Sequence, residues 1–235
     1  MINEYDLYGK SKETFDKLFQ KEDPWNLSSG VEKLRYKITA VNIFKFCNSL
    51  NKNILELGCA EGIFTEYLSN EGYTISAVDI SETAINRAEK KNLNNVTYHC
   101  SDMIDFARNN DLKNFGIILI MESLYYLDAN SRKILLSVLS DKVNMDTLII
   151  ATLPIKRNNK MFPNENEFVN LFRQNNFIQI QNSEILSLIG RSGKIALVLK
   201  YILLIKYFFL LFELIFPNKI NQRLFVFKKD KTNIL

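Results

Sequence analysis

Residues 54–68 read ILELGCAEGIFTEYL, an apolar strand that runs into a turn carrying Gly58 and Gly62 and then opens a helix. Gly58 can take backbone conformations denied to residues with side chains, and Gly62 leaves room where the helix begins. A small ligand can therefore approach the main chain here. A dinucleotide fingerprint needs three glycines as G-x-G-x-x-G, but Ala60 and Ile63 occupy its second and third positions. Glu56 and Glu61 would also crowd negative charge near a pyrophosphate, which prefers the N–H groups of a helix N-terminus. A ligand with positive charge and no phosphate suits the turn better.

Outward from this turn, strand and helix patterns alternate. Strands are expected at Asn53–Leu57, Thr74–Asp79, Val96–Cys100, Gly116–Met121 and Thr147–Leu153, with helices near Ile63–Asn70, Glu82–Lys91 and Ser131–Leu139. Runs such as NILEL, TISAV and TLIIA are nearly continuous in apolar residues, as in strands covered by helices on both faces. The expectation is an α/β protein with a mostly parallel, Rossmann-like central sheet. Before it, a turn at Asp23-Pro24 and a helical pattern from about Ser29 to Cys47 read as an N-terminal helical cap. Asp79 ends its strand some twenty residues after the glycine turn, where a carboxylate can accept hydrogen bonds from both ribose hydroxyls. Asp102 follows the third strand as a possible acceptor for an adenine amino group, with Met103 beside it as an apolar contact.

ELGCAEG, AVDIS, SDM and the later MESLYYL resemble consecutive motifs of the class I S-adenosylmethionine-dependent methyltransferases, over roughly residues 25 to 180. S-adenosylmethionine carries a sulfonium and an ammonium and has no phosphate. The resemblance implies that Gly58 and Gly62 line the methionine portion, that Asp79 holds the ribose, and that Asp102 with Met103 frames the adenine. Glu56, Cys59 and Ile80 are further candidates for contact with the cofactor. Within that family, DPWNLSSGVEKLRYKITAV followed by MESLYYL is similar to the nodulation N-methyltransferase (NodS-like) group, which methylates an amino-sugar end of a lipo-oligosaccharide precursor. The chain departs from the usual pattern at Ala60, commonly glycine, and at Gly116, commonly aspartate, where glycine is expected to weaken the fourth strand. Purely structural roles stay open at this stage: the glycines can form an ordinary turn, and Asp79 can cap the helix that begins at Glu82.

Methyl transfer from a sulfonium needs an acceptor lone pair held in line behind the methyl group, without metal or covalent nucleophile. Glu122, at the end of the fourth strand, is the candidate base, and Tyr125 and Tyr126 are candidates to orient the acceptor. Capping or cofactor contact is the alternative for Glu122, and packing for the tyrosines. Trp25 and Arg35 in the cap can close over the cofactor or grip its carboxylate, against core packing and a surface ion pair. His99, the only histidine, is expected to be structural or at the surface, and Cys59 and Cys100 to be packed thiols.

The 235 residues, 47% of them hydrophobic, suffice for one sizeable core. The expected division is a cap at 1–50, a cofactor-binding core at 51–189, and an apolar helical insertion with a final strand, RLFVFKK, at 190–235. A net charge of +4, with no clustered basic and aromatic residues, gives no reason to expect a nucleic-acid partner, so a small-molecule or glycan acceptor is expected. Three cysteines without metal-like spacing and a charged N-terminus point to the cytoplasm and to no metal site. Residues 195–216 (IALVLKYILLIKYFFLLFELIF) reach the length of a membrane span, but Lys200, Lys206 and Glu213 make insertion costly. The segment is expected to lie at a membrane interface, or else to pack on the core or a partner. The rival to an enzyme is a non-catalytic scaffold that keeps the fold, a doubt raised by Ala60 and Gly116.

Overall fold

The computed structural model describes residues 9, 11–46, 52–154, 163–186 and 220–230. Seven strands form one sheet: β1 (Asn53–Leu57), β2 (Thr74–Asp79), β3 (Val96–Cys100), β4 (Ile117–Ile120), β5 (Leu148–Pro154), β6 (Phe177–Leu186) and β7 (Ile220–Lys229). Their order is β3-β2-β1-β4-β5-β7-β6, with β1 to β5 parallel and β7 antiparallel to both β5 and β6. The helices are α1 (Lys12–Leu18), α2 (Gly30–Phe46), α3 (Ile63–Asn70), α4 (Glu82–Glu89), α5 (Met103–Asn109), α6 (Ala129–Lys142) and α7 (Glu165–Arg173).

The period-two alternation of strand side chains sends successive residues to opposite faces. Ile54, Ile117, Leu119 and Ile150 pack under α2, α3 and α4, beside Ala40, Ile43, Leu68 and Ile85. Leu55, Leu57, Ile118, Ile120 and Ile149 pack under α5, α6 and α7, beside Phe106, Leu136, Phe168 and Phe172. Two buried faces explain why these strands read as continuous apolar runs.

The first three strands and α3 have the expected bounds, and the later expected elements shift by a few residues at their ends. The expected weakness at Gly116 is absent, because its N–H donates to Asn53 O and its carbonyl accepts Leu148 N, both at 3.0 Å. Four elements escaped the sequence reading: α1, α5, α7 and β6. At seven residues, α1 and α5 offer too little periodicity, but α7 begins with a readable capping box between Asn164 and Glu167.

Strand β7 contains the expected final strand RLFVFKK and lies between β5 and β6 in the central sheet. Leu186 pairs with Ile220, and Pro154 at the end of β5 pairs with Gln222. Leu186 and Ile220 therefore lie at the carboxyl end of the parallel strands. The apolar stretch 195–216 lies outside the described residues. Among the described residues, no helix is long and apolar enough to cross a membrane.

Candidate functional site

The strand order reverses between β1 and β4, and the carboxyl ends of β1, β2, β3 and β4 surround the crevice where open α/β sheets bind ligands. Gly58 opens the turn after β1 at φ 86°. Its N–H and that of Cys59 both donate to Val78 O, at 2.8 and 3.0 Å. A Cβ on Gly58 would stand 2.4 Å from Ser123 Cβ, so the turn can pass Ser123 only as glycine. Gly62 begins α3 at φ 66°, and a Cβ there would stand 2.8 Å from the Tyr98 hydroxyl.

Ala60 holds a left-handed conformation at φ 50° and directs its N–H at Asp79 Oδ2, 2.9 Å away. A side-chain residue is strained there by about 1–2 kcal/mol, partly offset by the greater unfolded-state freedom of glycine. Ala60→Gly should therefore raise unfolding stability by up to about 1 kcal/mol in a denaturant titration, and a clear loss would contradict the left-handed assignment.

Asp79 is the hinge of the site. Oδ2 takes the Ala60 N–H and Oδ1 takes the Ser81 N–H at 2.9 Å, so one carboxylate joins the turns after β1 and β2. It does not cap α4; the Ser81 hydroxyl does, accepting Ala84 N at 3.2 Å. A carboxylate has about four acceptor positions, so two remain for a ligand. Burial pushes its carboxyl up to about 6. Glu56, 3% exposed, accepts a 2.6 Å bond from the Thr65 hydroxyl, and burial raises its carboxyl to about 7. A floor of two acidic side chains thus lies at the glycine turn.

The neighbouring candidates contribute less through their side chains. The Cys59 thiol is buried in the core on the α3 face and points at Ala60 O, 3.7 Å away, with its titration pushed well up by burial. Ile80 is half-buried, and its carbonyl faces Cys100 Sγ at 3.7 Å. Asp102, expected to face adenine, caps α5 through Oδ1, which accepts Ile104 N at 2.7 Å and Asp105 N at 3.3 Å. Met103 is the first residue of that helix and packs against the core. His99 packs against Phe106 with ring centres 4.9 Å apart and the planes tilted by 53°, and burial lowers its titration. Cys100 is exposed rather than packed.

Glu122, at φ 58° after β4, donates its N–H to the Thr152 hydroxyl at 2.8 Å. Its Oε2 lies 3.6 Å from Arg35 Nη1, while Arg35 Nε lies 2.6 Å from Glu32 Oε2 and the guanidinium covers the Tyr36 ring at 5.4 Å. The Arg35 side chain is 12% exposed, so this is no surface pair. Glu122 is thereby engaged with the cap. Tyr126 packs between Phe15 (5.7 Å) and Trp25 (6.2 Å), and Tyr125 lies 4.6 Å from Tyr126. Trp25 and both tyrosines thus join the cap to the crevice wall. Among the described residues, no cluster of three or more histidines, cysteines or acidic residues could hold a metal ion.

Residues 9–152, more than half of the chain, match the family Nodulation protein S (NodS). The chain belongs to the NodS family. Nodulation protein S of Azorhizobium caulinodans is 28% identical over 122 residues, 52% of this chain and 57% of that protein. A ubiquinone biosynthesis O-methyltransferase of Coxiella burnetii is 34% identical over 87 residues, 35% of this chain and 36% of that protein. The matches thus span between about a third and somewhat over half of these relatives' lengths. The crystal structure of N-methyltransferase NodS from Bradyrhizobium japonicum WM9 in complex with S-adenosyl-L-homocysteine has a TM-score of 0.66 at 18% identity, covering 93% of this chain and 97% of that one. The shared fold is the Rossmann-like class I methyltransferase fold.

Within this NodS-family chain, several residues of the site had no sequence signal. Thr65, Ser123 and Thr152 hold Glu56, Leu57 O and Glu122, and each looks like an ordinary core or turn residue in the sequence. Glu61, expected to add charge to the pocket, is paired with Arg87 and accepts the Asp23 N–H at 3.0 Å. The unfavourable field for a pyrophosphate comes from Glu56 and Asp79.

Proposed function

We propose that the protein is an S-adenosylmethionine-dependent methyltransferase that transfers a methyl group in line to a nitrogen or oxygen of a sugar, aminosugar, lipid-linked glycan precursor or related small acceptor. The observation that carries this reading is Asp79, which binds the turns after β1 and β2 with one carboxylate, above the buried Glu56. That floor fits a cofactor with cationic groups and no phosphate. When bound, the cofactor supplies an electrophilic methyl group. Asp79 would hold the ribose hydroxyls with its remaining lone pairs, and the turn at Gly58 would admit the methionine portion against the backbone.

A nitrogen acceptor has the stronger support. Glu32 and Glu122 place two carboxylates on one guanidinium, an excess of negative charge that attracts an ammonium group. That group would pass a proton to a carboxylate or to water before its nitrogen takes the methyl group. A relative bearing the name N-methyltransferase points the same way. The scaffold alternative loses its motive, since Gly116 keeps its ladder bonds and Ala60 keeps the left-handed turn.

Calorimetry with S-adenosylmethionine and S-adenosylhomocysteine tests the reading, followed by methyl transfer to a panel of aminosugars. Folded protein that binds neither cofactor form would overturn it. The carboxyls at about 6 and about 7 are raised from ordinary values of 3.8 and 4.5, so burial favours their protonated forms. Without ligand, their contribution to stability is fully present below those ordinary values and is lost as pH rises through about 6 to 7. The sulfonium prefers the ionised forms. Affinity for cationic S-adenosylmethionine should therefore rise from pH 5.5 to 7.5, with a weaker rise for neutral S-adenosylhomocysteine, and parallel profiles would remove Glu56 and Asp79 from the site.

The acceptor carries a lipid portion in this reading, and the enzyme works in the cytoplasm against the inner face of the membrane. The apolar sequence 195–216 falls between Leu186 and Ile220, which pair at the crevice end of the sheet, and its composition supports such an acceptor. Protein should sediment with anionic vesicles, and serine at Leu203, Phe209 and Phe212 should weaken this, since each buried side chain contributes roughly 1.5–3 kcal/mol. Folded wild-type protein that stays in the supernatant removes the membrane from the proposal.

A further inference from the structure

The cap is tied to the core by contacts that cofactor binding does not itself require. Glu61 lies between Ala60 and Gly62 in the turn after β1, and its side chain is buried. Its two oxygens accept the Asp23 N–H at 3.0 and 3.3 Å, and Oε1 also pairs with Arg87 Nη1 from α4. The same guanidinium donates from Nη1 to Lys21 O at 3.2 Å and from Nη2 to Gln20 O at 3.3 Å. Those carbonyls lie just beyond α1, which is separately held where Asp16 accepts the Ser81 hydroxyl at 2.6 Å and the Thr83 N–H at 3.2 Å. Residues 20–23 lead directly to Trp25, whose indole stands edge-on to Phe19 at 5.2 Å and against Tyr126 at 6.2 Å.

A guanidinium fork can hold one carboxylate and two carbonyls at once, which a lysine ammonium on a flexible stem does less well. The Glu61 carboxylate, taken out of water, needs that cation. It also belongs to the turn whose Ala60 N–H binds Asp79, so the loop of the cap and the cofactor turn share one set of bonds. We infer that Arg87 and Glu61 are positioning residues that latch residues 20–25 onto the turn after β1 and so hold Trp25 at the cofactor crevice. The purpose of the latch rests on the methyltransferase reading; its existence does not.

Trp25 is the only tryptophan, so its emission reports the state of the cap. In the full chain, Arg87→Ala should shift that emission to the red and expose it to acrylamide, with the far-ultraviolet circular dichroism unchanged. S-adenosylhomocysteine should bind about tenfold more weakly, because an apparent Kd rises in inverse proportion to the docked fraction. Glu61→Gln keeps an acceptor for Asp23 but loses the ion pair and should fall between, as should Arg87→Lys. Wild-type emission and affinity in Arg87→Ala overturn the inference, as does weaker binding without any change in emission. If Arg87→Ala fails to fold, the two conservative variants decide, and wild-type emission in both overturns the latch. Wild-type protein that binds no S-adenosylhomocysteine defeats the functional reading, while the emission shift still decides the latch.

Discussion

Arg35→Met is expected to destabilise the protein by about 2–4 kcal/mol, because it leaves two carboxylates in a largely desolvated place without their cation. Arg35 is 12% exposed, and its partners Glu32 and Glu122 are 17% and 25% exposed, so water relieves only part of the cost. The Arg35–Glu122 pair also joins α2 to the end of β4, so the loss should appear in cofactor affinity as well as in the melting temperature. Adding Glu122→Gln to Arg35→Met should recover part of the lost stability, since one uncompensated charge then disappears. A double-mutant cycle measures this directly, and additive losses would show that the pair does not couple. The same cycle bears on catalysis. If Glu122 were the base, Glu122→Gln alone would abolish turnover; a residue that anchors Arg35 should instead raise KM for the cofactor and leave much of kcat.

Asp79→Ala should weaken S-adenosylhomocysteine binding by roughly 1.5–3 kcal/mol, the scale of charge-assisted hydrogen bonds. It should also cost about 2 kcal/mol of stability, because the Ala60 and Ser81 N–H groups lose the acceptor that holds their turns together. Asp79→Asn separates the two effects, as its single carbonyl oxygen can keep one turn but not both. Calorimetry beside thermal melts reads both quantities, and unchanged affinity in a folded Asp79→Ala protein removes Asp79 from the ribose site.

The parts of this molecule that were legible in the sequence are those where chemistry is local. β1, β2 and β3 kept their expected ends because each is a short strand closed by a turn marker, Gly58, Asp79 or Ser101. Gly58 and Asp79 were recognisable by spacing along the chain, and both stand at the crevice. What could not be read is pairing across the fold. Nothing in the pattern of residues predicts that Glu61 meets Arg87, that Glu122 meets Arg35, or that Thr65 holds Glu56. Such contacts depend on which elements approach each other, and the periodicity of a helix or strand reveals its apolar face but not the partner of a polar side chain. Asp102 illustrates the converse: its place before a helix suits capping, and its Oδ1 is spent there.

The position of β7 bears on how the chain reaches its native state. β4 and β5 can pair soon after they are made, but the outer side of β5 and the whole of β6 wait for residues 220–229. During synthesis, the strongly apolar stretch 195–216 emerges before the strand that closes the sheet. A nascent chain at that stage offers two open strand edges beside an apolar tract, the situation in which chaperones are most needed and aggregation competes best. Formation of this sheet is therefore a late, long-range event, and its rate should govern the yield of folded protein more than the stability of the finished core does.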